Sequence, residues 1–334
     1  MRHVIKLKPG DPDFYLFENF PEKIYPADST RFKLPDQLNT DLLASCYVLM
    51  DDGEVKSRAA LYNNPYLSYN DKKTFCVGNY ESVDDLNASF ELLQHISLEA
   101  KNAGGEFLIG PMNGSTWDSY RFSTHHEHPN FFLEPYHHLY YNHHFLNAGF
   151  HVIGKYFSNK GNIIHNQPEL IERENELKNA GVNFRNIDLA DFENDLEKLY
   201  ELSSIAFKKN FLYTPISKAA FLKKYNETRK VVNPEFVVFA EDKNKQLIGF
   251  LFCVNDFFNT REKSLIIKTA ARHPDNKWRG LAHVLFNIVC VRALEQNYTS
   301  LIHAFMYDGG TSVGITKDFS GNEYKNYALY GKPL

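Results

Sequence analysis

One order of elements occurs twice in this chain, and it constrains the fold more than any local motif does. In the first half, the apolar runs 46–50 and 55–62 flank Asp51-Asp52-Gly53-Glu54. An Asp-Gly pair between two such runs is a two-residue hairpin turn. Residues 74–78 form a further strand. Leu86, Phe90, Leu93, Ile96 and Ala100 then keep helical spacing up to the Gly104-Gly105 stop, and residues 107–110 are a buried-type strand. In the second half, runs 236–241 and 247–254 flank Asp242-Lys243-Asn244-Lys245. A strand over 265–271 follows, then a helix through Leu281, Val284, Leu285, Ile288, Val289 and Leu294, then a strand over 300–306. A hairpin followed by a strand-helix-strand crossover implies a mixed, mostly antiparallel sheet with helices on its faces. The expected fold class is therefore α/β (an α+β mixed sheet), built as two domains of similar element order without visible sequence identity.

A chain of 334 residues accommodates two such domains. The polar stretch 158–167 is the expected connection, giving domains 1–158 and 159–334. Residues 309–319 are read as a short helix and 324–330 as a closing strand. With 37 Lys and Arg against 41 Asp and Glu, the net charge is −4, which argues against a nucleic-acid footprint. The four cysteines lie far apart in apolar segments with no C-x-x-C pair, so neither a disulfide framework nor a zinc knuckle is expected. No leader-like run and no apolar stretch of about 18 residues is visible, and the expectation is a cytoplasmic protein without a membrane partner.

The stretch with most chemical content is 264–298. Its strand gives way to a polar loop with Pro274, Asp275 and Asn276, and then Lys277-Trp278-Arg279-Gly280-Leu281-Ala282 opens a helix. The first turn of a helix has N–H groups without intrahelical partners and carries the positive end of the macrodipole. Gly280 lets a ligand approach the backbone, and Lys277 and Arg279 add charge. A phosphate-bearing ligand suits this arrangement, while a plain strand-loop-helix connection with a solvated basic turn uses the same residues.

With its place between the fourth strand and the following helix, Lys277-x-x-Gly280-x-Ala282 resembles the signature of the GNAT superfamily of acyl-CoA-dependent acyltransferases, Gln/Arg-x-x-Gly-x-Gly/Ala. Lys277 departs from the first position, keeping charge but losing a planar donor. The resemblance covers the C-terminal 150 residues or so and implies a GNAT acyltransferase domain there. Residues 279–282 would hold the coenzyme A pyrophosphate, with Lys277, Trp278, Arg279, Gly280, Leu281 and Ala282 as the loop. The strand of Ile267, Thr269 and Ala271 would line the pantetheine arm and present an N–H to the thioester oxygen. The cosubstrate implied is acetyl-CoA or another acyl-CoA, and no metal is expected. The first half resembles a degenerate GNAT-like copy, because its counterpart segment 78–85 lacks the glycine element and carries Glu81, Asp84 and Asp85, which repel a pyrophosphate.

The reaction this implies is transfer of an acyl group, acetyl by expectation, to a small amine or amino-acid-derived acceptor near the interdomain cleft. Glu241 and His303 are the candidate bases and Tyr307 the candidate acid, with Tyr324 or Tyr327 as substitutes. By period-2 counting His303 shares a face with Leu301, Phe305 and Tyr307. The loop holding Trp117, Tyr120 and Arg121 is the candidate acceptor contact, although a tryptophan there can equally plug a gap. Seven histidines fall within 125–144, but adjacent histidines point apart and no metal-ligand pair at helical spacing is present. Two other readings stand beside transfer to a small amine: a non-catalytic GNAT-like binding protein, and an aminoacyl transferase of the peptidoglycan-bridge type.

Overall fold

The computed structural model describes residues 1–25, 37–161, 167–310 and 321–334. The expected short helix over 309–319 falls almost wholly outside them, as do the middle of the 158–167 connection and most of the loop between Tyr25 and Asp41. Two compact units divide the chain: 1–155 with 212–214 and 325–334, and 156–211 with 215–324. A linear division after residue 158 assigns the last ten residues differently. Among the described residues no helix is long and apolar enough to cross a membrane.

The first unit opens with β1 (His3–Leu7), the short helices α1 (Tyr15–Glu18) and α2 (Phe20–Ile24), and the hairpin β2 (Leu43–Asp51) and β3 (Glu54–Tyr62). Asp52 and Gly53 take φ values of 49° and 82°, as the hairpin turn requires. There follow β4 (Ser68–Tyr69), β5 (Lys72–Ser82), α3 (Leu86–Asn102), β6 (Phe107–Gly110), β7 (Phe122–Ser123) and α4 (Tyr140–Asn147). β8 (His151–Gly161) leaves this unit at Tyr156. The sheet runs β1-β2-β3-β5-β6, antiparallel except for the parallel pair β5–β6. Ala88, Leu92, Leu93, Ile96 and Ala100 of α3 pack on Tyr47, Leu61, Phe75 and Val77. Each such fully buried large side chain contributes about 1.5–3 kcal/mol. On the other sheet face Arg58 lies 4.6 Å from the Phe17 ring centroid and donates to the Phe17 carbonyl at 2.8 Å.

The second unit continues with α5 (Leu170–Asn179), β9 (Asn183–Asn186), α6 (Phe192–Ala206), α7 (Lys218–Asn226), β10 (Val237–Glu241), β11 (Leu247–Asn255), β12 (Ser264–Arg272), α8 (Leu281–Glu295) and β13 (Ser300–Tyr307). Its sheet runs β8-β13-β12-β11-β10-β9, again antiparallel except for one parallel pair, β12–β13. Leu281, Val284, Leu285, Phe286 and Val289 of α8 cover one face with Val238, Leu251, Cys253, Leu265 and Ile267 beneath them. The final strand β14 (Asn322–Pro333) pairs with β6 and β7 from Tyr327 onward, which is why 325–334 complete the first unit. Both units thus carry a mixed, mostly antiparallel sheet with one parallel crossover around a helix.

Candidate active site

In the second unit the parallel pair β12–β13 comes apart. Ser264, Leu265, Ile266 and Ile267 pair with Ser300, Leu301, Ile302 and His303, and the pairing stops there. β12 continues to Arg272 against β11, while the end of β13 follows β8 through Met306–Phe157 and Tyr307–Tyr156. Two irregularities sit at the parting. Cys253 is opposite Ile267 and Phe252 opposite Thr269, so Lys268 is the extra residue of a bulge. Across the opening, the β13 register shifts between His303 and Met306, where Phe305 takes φ 60° and its N–H donates to Ser158 Oγ at 3.0 Å.

The bulge at Lys268 reverses the parity of everything after it. Ile267, the last paired residue, is buried beneath α8. The His273 N–H donates to the Ile248 carbonyl at 2.7 Å, so alternation turns the Thr269 and Ala271 amides toward β11 as well. The backbone groups of Ala270 and Arg272 face the opening instead. This corrects the odd-numbered set Ile267, Thr269 and Ala271: Thr269 and Ala271 offer side chains on the α6 face, and the backbone at the opening belongs to their neighbours.

The loop after β12 is held by its own residues. Arg272 Nη1 donates to the carbonyls of His273 (2.9 Å) and Asp275 (3.3 Å), and the Asp275 carboxylate accepts from the Lys277 N–H at 3.0 Å. Trp278 is buried in the α8 core, so its ring packs rather than faces a ligand. Leu281 and Ala282 are buried as well, leaving only their backbone to a ligand. Lys277 and Arg279 are exposed. Gly280 is the N-cap of α8 with φ 86°, a conformation that favours glycine, and it offers no side-chain acceptor to the first turn. An apolar 15-residue helix therefore starts with its N–H groups unsatisfied by a cap, beside two cations. A third cation was not legible in the sequence: Arg173 of α5 donates through Nη2 to the Arg279 carbonyl at 2.8 Å, and its Nε lies 3.4 Å from where a Cβ on Gly280 would stand.

The expected acid-base residues are dispersed by the structure. Glu241 is buried at the end of β10 on the α6 face, two strands from β12 and level with Leu247. Burial would raise its pKa, but Arg185 at 2.8 Å and Lys198 at 2.7 Å hold it below the usual carboxylate range. Arg185 is in turn bidentate to Asp195 at 2.6 and 2.8 Å. A carboxylate so paired is a poor proton acceptor, and the geometry makes Glu241 part of a buried ion network. His303 does stand at the apex of the opening, opposite Ile267, with its ring 5.5 Å from that of Phe286. Burial lowers its pKa to about 4, so the imidazole is neutral near pH 7 and only weakly basic. Tyr307 does not share its face, because the register shift after His303 moves it to the opposite side, where it stacks on Phe211 at 4.9 Å.

The corresponding places in the first unit are filled. Thr74, Phe75 and Cys76 pair with Phe107, Leu108 and Ile109, and then β6 ends. The chain at 111–113 closes the gap: the Met112 N–H donates to the Val77 carbonyl at 2.9 Å, and Asn113 Oδ1 accepts from the Asn79 N–H at 2.8 Å. Gly78 has no room for a Cβ against Met112 and Asn113. At the start of α3 the Asp85 carboxylate accepts from the N–H groups of Asn87 (2.8 Å) and Ala88 (3.0 Å), so the helix terminus already holds an anion. The stretch 78–82, read as part of an acidic loop, is strand, and Glu81 is buried with Tyr25 and Tyr141 hydroxyls donating to it at 2.5 and 2.8 Å.

Of the acceptor candidates, Trp117 is taken up inside the first unit, donating from Nε1 to the Thr214 carbonyl at 2.8 Å with Tyr213 at its edge. Tyr120 and Arg121 line a cavity that Trp117 does not reach. The clustered histidines make hydrogen bonds and stacks: Ser123 N–H to His137 Nε2 at 2.6 Å, Tyr80 OH to His144 Nδ1 at 2.8 Å, and His138 on Tyr25 at 5.0 Å.

No family model matches the chain, and no curated protein matches it in sequence. Solved structures do match in shape. The GCN5-related glucosamine N-acetyltransferase region of a fungal multi-domain GH3 beta-N-acetylglucosaminidase superposes with a TM-score of 0.56 at 12% identity, over 99% of this chain and 38% of that one. The chain thus spans well under half of that protein. A tandem GNAT protein from the clavulanic acid biosynthesis pathway gives a TM-score of 0.52 at 11% identity, covering 100% and 98% of the two chains. A probable N-acyltransferase of Enterococcus faecalis gives 0.53 at 7% identity, covering 100% and 73%. The chain has the GNAT fold in a tandem arrangement.

Proposed function

We propose that this protein is an acyl-CoA-dependent N-acyltransferase whose donor site lies wholly in the second unit. The observation that carries the reading is the conjunction of a parted β12–β13 pair with an uncapped α8 terminus at Gly280, ringed by Lys277, Arg279 and Arg173. The pantetheine arm enters the opening and bonds the backbone of Ala270 and Arg272. The pyrophosphate sits on the first turn of α8. An N–H beside the bulge meets the thioester oxygen, where a preset donor favours the tetrahedral oxyanion over the ground-state carbonyl. Acetyl is the expected acyl group and a small amine or amino-acid derivative the expected acceptor, in line with the N-acetyltransferase names of the structural neighbours.

The amine must shed a proton before attack, and the thiolate must regain one. Among the described residues His303 stands closest to the apex, and Tyr307 stands on the α6 face of the same strand. With an imidazole so weakly basic, positioning of an already neutral amine carries more of the rate than proton abstraction does. The same weakness favours a second reading, a protein that binds acyl-CoA without turning it over. Thiol release from acetyl-CoA against a panel of small amines separates the two. Turnover above the hydrolytic background that is lost in Gly280→Glu supports transfer; tight acetyl-CoA binding with no amine-dependent thiol release supports the second reading.

A further inference from the structure

We propose that Ser158 of β8 is a positioning residue that keeps the β12–β13 opening from closing on itself, by holding Phe305 in the left-handed region of backbone space. Its place follows from the register. On β13 two residues, Ala304 and Phe305, lie between His303 and Met306, while on β8 only Ser158 lies between their partners Asn159 and Phe157. Two residues against one form a β-bulge, which bends its strand and adds twist. β12 carries its own bulge at Lys268. Each begins one residue past Ile267–His303, the last pair that the two strands share. The strands thus turn toward opposite neighbours from the same level.

The two bulges are not held alike. β12 resumes its ladder with β11 from Thr269 to Arg272, and that pairing fixes its course. β13 has only Met306 and Tyr307 paired with β8 beyond its bulge, and within the bulge Phe305, not a glycine, takes φ 60°. That conformation is costly for a side chain as large as phenylalanine, and it persists only where the surroundings over-determine it. Ser158 supplies the determinant. It is fully buried, and its Oγ accepts the Phe305 N–H at 3.0 Å. Losing that acceptor costs free energy of the same order as the strain, so the balance then favours an extended Phe305. With Phe305 extended, β13 continues beside β12. The backbone of Ala270 and Arg272, which faces the opening, then meets a strand of the protein in place of a ligand. The Phe305 ring ties the two bulges together, lying 4.9 Å from the Lys268 ammonium.

The consequence for acyl-CoA rests on the proposed donor site, whereas the geometry does not, so two measurements on the full chain separate them. The first is amide hydrogen exchange without ligand, read by mass spectrometry on peptides covering 268–272. Ser158→Ala is expected to slow exchange there by roughly fivefold or more, because the opening closes, whereas a fold that had only lost packing exchanges faster. Adding Phe305→Gly, which takes φ 60° freely, is expected to return exchange to the wild-type rate. The second is calorimetric titration of acetyl-CoA. Its affinity is expected to fall by roughly tenfold in Ser158→Ala and to differ little between Phe305→Gly and the double variant. Ser158→Cys fills the same space with a weaker acceptor and repeats both measurements if Ser158→Ala does not fold. Unchanged or faster exchange over 268–272 overturns the proposal. So does wild-type acetyl-CoA affinity in Ser158→Ala, or a loss of affinity that is the same with and without Phe305→Gly. Slowed exchange in Ser158→Ala beside a wild type that binds no acetyl-CoA supports the role of Ser158 and overturns the donor-site reading.

Discussion

The two units carry the same sheet order and the same single parallel crossover, yet they treat the two exposed features of that crossover in opposite ways. In the second unit the strands part at Ile267 and His303 and the helix begins at Gly280 with no side-chain cap. In the first, Asn113 and Met112 occupy the parting, and Asp85 caps the helix. The fold leaves a strand edge and a helix terminus unsatisfied at this crossover by construction. A unit can meet those groups with its own residues, which stabilises it, or leave them for a ligand, which costs stability until the ligand binds.

The comparison breaks most readily at Gly280. Gly280→Glu places a side chain at a positive φ and a carboxylate where a pyrophosphate is proposed, and acetyl-CoA affinity is expected to fall by ~100-fold or more, by calorimetry. Arg173→Ala, which spares the backbone, is expected to weaken acetyl-CoA binding by roughly three- to tenfold and to leave the melting temperature nearly unchanged. In the first unit, Asp85→Ala removes the internal anion. It is expected to cost about 1 kcal/mol in denaturant unfolding and to leave acetyl-CoA affinity unaltered.

His303 sharpens the contrast through pH. Its folded pKa of about 4 lies below the ordinary 6.5, so its neutral burial contributes stability that is present above pH 6.5 and lost as pH falls toward 4. The full loss is up to about 3 kcal/mol. In His303→Asn, unfolding free energy measured at pH 7 and pH 4 is expected to differ less than in the wild type. The smallest expected effect is on chemistry at Glu241. Glu241→Gln is expected to lower stability, because Arg185 and Lys198 lose their shared partner, while the pH-rate profile for acetyl transfer keeps its shape.

What could be read from the sequence was local. The Asp52-Gly53 turn, the periodic α3 and α8, and the basic glycine turn before α8 each follow from residues adjacent in the chain. What escaped was set by register and by distant partners. A single inserted residue at Lys268 moves the strand's ligand-facing backbone to Ala270 and Arg272, and the shift before Met306 separates Tyr307 from His303. Counting by twos cannot see either bulge. Arg173 reaches Arg279 from a helix more than a hundred residues earlier, and Asn113 reaches Asn79 from 34 residues later, so neither carried a nearby signal. Glu81 illustrates the same limit. Its charge was visible, but its burial beneath two tyrosine hydroxyls is a tertiary fact, and it makes a residue read as part of a repelling loop into a buried acceptor on β5.

The claim that one crossover is open and the other closed is tested most directly by the stoichiometry of acetyl-CoA binding, titrated calorimetrically into the full chain. The account predicts one site per chain in the wild type, none in Gly280→Glu, and one in Asp85→Ala. Two sites per chain, or one site that survives Gly280→Glu, would contradict it.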